Sequence, residues 1–274
     1  QGIGSKLIDF IFNSFNVNNI TAETDDDAIG FYKKYGFTVA NTKVEFDTKR
    51  YVCVCESVTH HYDLLIDENN DPVHDSKPLQ DYMDKWDGQV FIDKMELNKN
   101  KSVLEIGVGT GRLAVRVAPL CGEFYGVDIS PKTIERAKDN LAKLENVSLT
   151  CADFLSYKFG RTFDVVYSSL TFMHIKEKQK TINKVAALLE DGGKFVLSID
   201  KNQDRFIDTG TRKVTIYPDT PEEIKTYIAN SSLLLTECYE TEFAHIFSAK
   251  KECKCYCGHD CARCITYIAT QKND

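Results

Sequence analysis

The apolar positions along this chain change period twice, and those changes divide it. Over residues 4–15 they fall at helical spacing (Leu7, Ile8, Phe10, Ile11, Phe15). ITAET (20–24) then reads as a strand, and a helix follows from about Asp26 to Tyr35, where Gly36 stops it. FTVA (37–40) and RYVCVCE (50–56) alternate as the two strands of a hairpin. From residue 57 to 249 the pattern becomes a regular exchange of short β-branched runs and helix-period stretches. Strands are predicted at Ser102–Ile106, Glu123–Val127, Val147–Cys151, Phe163–Tyr167 and Lys194–Ile199. Helices are predicted around Arg112–Ala118, Pro131–Leu144 and Lys176–Leu189, with Ser130-Pro131 as a start signal and Gly192-Gly193 as a stop. One more helix after Thr220 precedes strands near Leu233–Glu237 and Phe243–Ala249. Such alternation predicts an α/β fold: a doubly wound, mostly parallel sheet covered on both faces. Residues 250–274 differ in composition from everything before them, giving three segments: 1–56, 57–249 and 250–274.

Charge narrows the choice of partner. Forty-one acidic residues against 34 basic ones leave a net charge of -7, which disfavours a chain-wide role on phosphate backbones. No run of about 18 uncharged apolar residues is present, so no membrane span is predicted, and the first residues lack a secretory pattern. Of the ten cysteines, five crowd together in the last segment and five are scattered, unlike a secreted disulfide scaffold. A reducing, cytoplasmic setting is expected.

The first segment resembles the C-terminal half of a GNAT acetyltransferase. Gly2-Ile3-Gly4 matches the end of that family's acyl-CoA motif, at a helix start whose free N–H groups suit a pyrophosphate. TDDDAIGFYKKYGF (24–37) matches the family's next helix, with Tyr32 at the position often used as a general acid. The strands and helices that complete the family's sheet have no match in the 274 residues. Half a sheet with an open edge does not make that cofactor cleft, so N-acetyltransferase activity is expected only if a second chain completes the half-domain.

The middle segment carries the more specific signal. SVLEIGVGTGRLA (102–114) places Glu105, Gly107, Gly109 and Gly111 after an apolar strand and before a helix. Glycines are needed where the backbone turns sharply and must approach a ligand. A dinucleotide-binding turn would carry its third glycine at Arg112, one residue later than here. This GxGxG form after Glu is similar to motif I of the class I S-adenosylmethionine-dependent methyltransferases. Three further blocks follow in that family's order. GVDIS puts Asp128 where a carboxylate accepts both ribose hydroxyls, with Ile129 beside it. Cys151-Ala152-Asp153-Phe154 matches the place where the family's Asp receives the adenine amino group and an apolar neighbour packs on the ring. FDVVYSSLTFMHI (163–175) has its strand end, at Ser168, beneath the methionine part of the cofactor. The resemblance implies a Rossmann-like transferase using S-adenosylmethionine; a non-catalytic module that binds this cofactor is the other reading.

A sulfonium methyl is already activated, so alignment of the acceptor supplies most of the catalysis, and a base is needed only if the nucleophile arrives protonated. His174 is the base candidate, since TFMHI places it just past the fourth strand of the sheet; local packing at a helix start is the alternative. Upstream, Tyr62, Tyr82 and Trp86 lie in a stretch that in the family folds over the cofactor. Tyr82 and Trp86 are spaced to share a helix face, either as a lid on the sulfonium or as ordinary core. His60 and His61 are adjacent and read as linker residues. The absence of a nucleic-acid footprint favours a small-molecule acceptor, with a protein side chain as the other class. The last segment holds Cys253, Cys255, Cys257, Cys261 and Cys264 around His259, a density that suits zinc or an iron–sulfur cluster as well as free thiols.

Overall fold

The computed structural model describes residues 2–15 and 17–252. The N-terminal segment forms α1 (Ile3–Ser14), β1 (Asn19–Thr24), α2 (Ile29–Tyr35), β2 (Thr38–Glu45) and β3 (Thr48–Glu56). The strands make an antiparallel sheet of order β1-β3-β2. Ile8 of α1 packs with Phe37, Cys53 and Cys55 beneath it, a small core of its own. Gly36 ends α2 at φ 121°, and a Cβ there would stand 2.7 Å from the Phe206 ring, so glycine is required both for the turn and for the close approach.

Next come α3 (Val58–Asp67), α4 (Lys77–Met83) and α5 (Gly88–Asp93). His60 and His61 are therefore not linker residues. Ser57 caps α3 by accepting from the His60 N–H at 3.1 Å, and both histidines lie in its first turn. His61 is buried, its Nδ1 accepting from Arg212 Nε at 2.9 Å, while His60 Nδ1 meets Glu56 Oε2 at 2.6 Å.

The remaining chain builds the large sheet through β4 (Ser102–Ile106), α6 (Ala114–Val117), β5 (Glu123–Asp128), α7 (Pro131–Asn140), β6 (Val147–Cys151) and β7 (Phe163–Ser168). It continues as α8 (Lys178–Leu188), β8 (Leu189–Asp200), a hairpin of β9 (Phe206–Asp208) and β10 (Lys213–Thr215), α9 (Pro221–Ala229), β11 (Leu233–Glu240) and β12 (Ala244–Lys251). The seven-stranded order is β11-β12-β8-β7-β4-β5-β6, parallel from β8 to β6, with β12 antiparallel to both its neighbours. Apolar side chains fill both faces. Along β7, Val166 enters one core cluster while Val165 and Tyr167 enter the other, which is why the parallel strands read as continuous apolar runs.

Three predicted elements differ. The helix expected over 112–118 is only the short α6, followed by a tight turn at Ala118–Leu120. Helix α7 stops at Asn140 instead of Leu144. Gly192-Gly193 does not stop a helix: α8 already gives way to β8 at Leu189, and the pair lies within that strand, where the pairing with β7 shifts register between Phe163 and Val165. The β9–β10 hairpin was not foreseen, being too short to show a period. Among the described residues no helix is long and apolar enough to cross a membrane.

Candidate active site

The strand order reverses beside β4, which pairs with both β5 and β7, and open α/β sheets bind ligands at the carboxyl ends of strands at such a point. There the β4–α6 loop turns back on itself: the N–H groups of Gly107 and Val108 both donate to Val127 O, at 2.8 and 3.1 Å. Gly107 has φ 76°, and a Cβ on it would lie 2.0 Å from Thr171 Oγ1. Gly109 has φ 57°, yet a Cβ there would meet no atom within 4 Å, so the space over the loop is free for a ligand.

Asp128 closes β5 against this loop. Its Oδ2 accepts from the Gly109 N–H at 3.0 Å and its Oδ1 from the Ser130 N–H at 3.0 Å. Burial raises its pKa, with these backbone donors opposing the rise. Asp153, past β6, accepts from the Ser156 N–H at 2.8 Å, and Phe154 beside it is buried. Gly107, Gly109, Asp128, Ile129, Asp153 and Phe154 all border one cavity of about 1090 Å³.

The other predicted positions divide. Glu105 borders the cavity but is committed to the core: it accepts from Tyr167 Oη at 2.8 Å, and burial pushes its pKa up to about 8. Gly111 faces Leu141, and Ser168 donates to Ile106 O at 3.0 Å; neither is on the wall, and both shape the strand ends from behind. Tyr82 and Trp86 do meet edge to face, but only Trp86 reaches the cavity, where its indole N–H donates to Asp200 at 2.9 Å. Tyr82 is half exposed and rests on Phe243, because α4 ends at Met83 and the chain turns before Trp86. Asp87, the cap of α5, is clasped by the Arg112 guanidinium and by Ser169 Oγ, which fixes this stretch to the sheet.

His174 ends a single helical turn after β7 and borders the same cavity. Its Nε2 lies 2.7 Å from Tyr62 Oη of α3, while its buried Nδ1 has no partner among the described residues. Burial lowers the pKa to about 4, with His61 adding to the effect, so the ring is neutral at pH 7. His61 is lowered to about 4 as well, chiefly by burial and then by Arg212. Both bases have folded pKa values below the unfolded value, so they favour the fold above pH about 6.5, an effect lost as pH falls toward 4. The melting temperature should therefore drop steeply between those limits, and a His61→Gln/His174→Gln variant should show a flatter slope. An unchanged slope would mean that both rings protonate freely in the folded protein.

Asp9, Phe12, Tyr35 and Glu56 of the N-terminal segment, with Tyr217 after β10, also border the cavity. No local motif marks them for this role; only the docking of residues 1–56 brings them there. The cysteines at 253, 255, 257, 261 and 264 lie outside the described residues. Within the described residues no group of three or more His, Cys, Asp or Glu side chains is placed to hold a metal.

The comparisons with known proteins agree with this geometry. A family model described as a methyltransferase domain matches residues 97–273. An uncharacterized methyltransferase of Anoxybacillus flavithermus is 34% identical over 123 residues, covering 43% of this chain and 57% of that protein. Malonyl-[acyl-carrier protein] O-methyltransferase 1 of Ilyobacter polytropus is 29% identical over 123 residues, covering 42% and 46%. The chain thus spans about half the length of the curated relatives it matches. Among solved structures, N-methyltransferase NodS from Bradyrhizobium japonicum in complex with S-adenosyl-L-homocysteine superposes with a TM-score of 0.51 at 17% identity, over 69% of this chain and 97% of that one, a likeness of fold. The match begins at residue 97 and so gives no support to the resemblance of residues 1–56 to half an acetyltransferase. With the strand order, the open glycine loop and a family match over most of its length, the chain belongs to the methyltransferase domain family.

Proposed function

We propose that this protein is an S-adenosylmethionine-dependent methyltransferase acting on a small molecule. The observation that carries the reading is Asp128, held by the Gly109 and Ser130 N–H groups at the mouth of an open glycine loop. Asp128 would take the ribose hydroxyls and Asp153 the adenine amino group, with Ile129 and Phe154 against the ring and the backbone at Gly107 and Gly109 beside the methionine part. When bound, the cofactor supplies a methyl on a positive sulfur, which passes to the acceptor's lone pair and leaves a neutral thioether.

The chain's own residues align the acceptor, exclude water and receive its proton. With the proton of His174 on Nε2, that nitrogen donates to Tyr62 Oη and leaves the buried Nδ1 unpartnered, the atom that would take the acceptor's proton. His174→Ala should lower turnover about 100-fold while cofactor affinity stays within about twofold, the range for loss of a general base. Unchanged turnover would leave the histidine a packing role only.

Acyl-CoA use is the second reading, supported by the Gly2-Ile3-Gly4 helix start and the order α1-β1-α2-β2-β3. Tyr32, however, stacks edge-on with Phe31 and Phe37 and does not border the cavity. Calorimetric titration with S-adenosylmethionine and, in parallel, with acetyl-CoA separates the two. Heat from acetyl-CoA alone would overturn the methyltransferase reading.

A further inference from the structure

A segment that merely preceded a transferase domain would have no part in its cleft. Here residues 3–56 supply Asp9 and Phe12 from α1, Tyr35 from the end of α2, and Cys55 and Glu56 from β3 to the cavity that also holds the glycine loop. The segment is clamped in place from several sides. Lys176, two residues after His174, reaches Asp9 at 2.9 Å, and Asp9 also accepts from Tyr35 Oη at 2.7 Å. Strand β10 lies against β3. Phe206 of β9 packs on Gly36. A cavity of about 1090 Å³ exceeds the ~300–1,000 Å³ typical of one small ligand, so it has room for a second molecule beside the cofactor.

The charge of the lining selects what that second molecule is. Its three long cations are all committed: Arg112 to Asp87, Lys176 to Asp9 and Lys180 to Glu177. Among the described residues, Glu56, Glu105, Asp128, Asp153 and Asp200 of the lining have no Lys or Arg partner. Asp128 and Asp153 belong to the cofactor motifs, and Glu105 is bonded to Tyr167. Glu56 and Asp200 remain as carboxylates without a Lys or Arg partner, Glu56 with its Oε2 beside His60 Nδ1 and Asp200 accepting from the Trp86 indole and the Asn202 N–H. Tyr35, Tyr62 and Phe12 are aromatic walls, and His174 borders the same cavity. An anionic acceptor would be buried there without a free counter-charge, whereas carboxylates and aromatic faces together suit an ammonium group.

We propose that the N-terminal segment forms the acceptor wall of the methyltransferase site and that the acceptor is a small, mostly apolar amine, recognised by Glu56 and Asp200 and presented to His174. The inference rests on the methyltransferase reading. It assigns residues 3–56 to substrate selection in place of a chemistry of their own.

The test is calorimetry on the full chain saturated with S-adenosylhomocysteine, titrated with arylalkylamines of two to four linker carbons and with the matching alcohols and carboxylates. The expected result is that at least one amine binds tenfold or more tighter than its alcohol, with no heat from the carboxylate. Glu56→Gln and Asp200→Asn should each weaken that amine about tenfold while S-adenosylhomocysteine affinity stays within about twofold. Carboxylate binding that matches or exceeds the amine, no binding by any amine, or amine binding indifferent to both variants would overturn the proposal while leaving the cofactor site standing. Failure of S-adenosylhomocysteine itself to bind would instead bring down the methyltransferase reading, and this inference with it.

Discussion

Asp128→Ala is expected to weaken S-adenosylmethionine binding by more than about 100-fold. The carboxylate does two things at once. It holds the loop in shape by accepting from Gly109 and Ser130, and in the proposed function it would receive the ribose hydroxyls. Hydrogen bonds to a charged group contribute about 1.5–3 kcal/mol each, so losing two toward the cofactor removes roughly 3–6 kcal/mol, or two to four decades of affinity. The fold should survive, because the strands flanking the loop keep their ladder bonds. Asp128→Asn keeps one acceptor oxygen and should fall between the two. Calorimetric titration of the three proteins reads the series, and a variant that binds within about threefold of the parent would show that the ribose is held elsewhere.

Lys178→Ala is the substitution expected to cost most stability. Lys178 opens α8, and its side chain is 6% exposed. It donates to Phe172 O and to Tyr217 O, both at 2.8 Å, and pairs with the buried Asp219. One side chain thus ties the turn that carries His174 to the connection between β10 and α9. Removing it strands the Asp219 carboxylate and two carbonyls, and breaking a buried pair from one side costs about 3–5 kcal/mol. That corresponds to a melting temperature lower by roughly 10 °C for a chain of this size. The pH dependence adds a second check. Burial already raises Asp219, and without its partner the carboxyl should rise further. Stability of the variant is then fully present below the ordinary carboxylate pKa and lost as pH rises through the higher folded one, so its deficit should be larger at pH 8 than at pH 5. Adding Asp219→Asn should recover part of the loss. A single variant that melts within about 2 °C of the parent at every pH would mean that water already reaches this pair.

What the sequence determined by itself is local. The large sheet's strands were legible because parallel strands buried on both faces read as continuous β-branched runs, and four of the parallel five begin at the predicted residue. The candidate cofactor residues that border the cavity stood out in the sequence because the proposed chemistry needs particular residue types at fixed offsets from a strand end: glycines where the chain doubles back, carboxylates at Asp128 and Asp153. The N-terminal helices and strands followed from period alone, although α2 proved shorter and β2 longer than predicted. Glycine signals were less reliable, since a Gly-Gly pair that would stop a helix serves equally inside an irregular strand, as at Gly192-Gly193.

The tertiary structure decided everything that depends on residues far apart in the chain. His60 and His61 were assigned by Ser57 capping a helix and by Arg212, 151 positions away, filling the space over His61. Tyr82 and Trp86 share the spacing of a lid, but the end of α4 turned one outward and left the other against Asp200. The pairing of Tyr62 with His174 spans 112 positions and turns an otherwise ordinary histidine into one with a fixed ring and a free nitrogen. Above all, nothing in residues 1–56 announces that Asp9, Tyr35 and Glu56 border the cleft. Periodicity reports which face of an element is apolar, not which distant surface that element meets, and it is that meeting which brings these residues to the cavity.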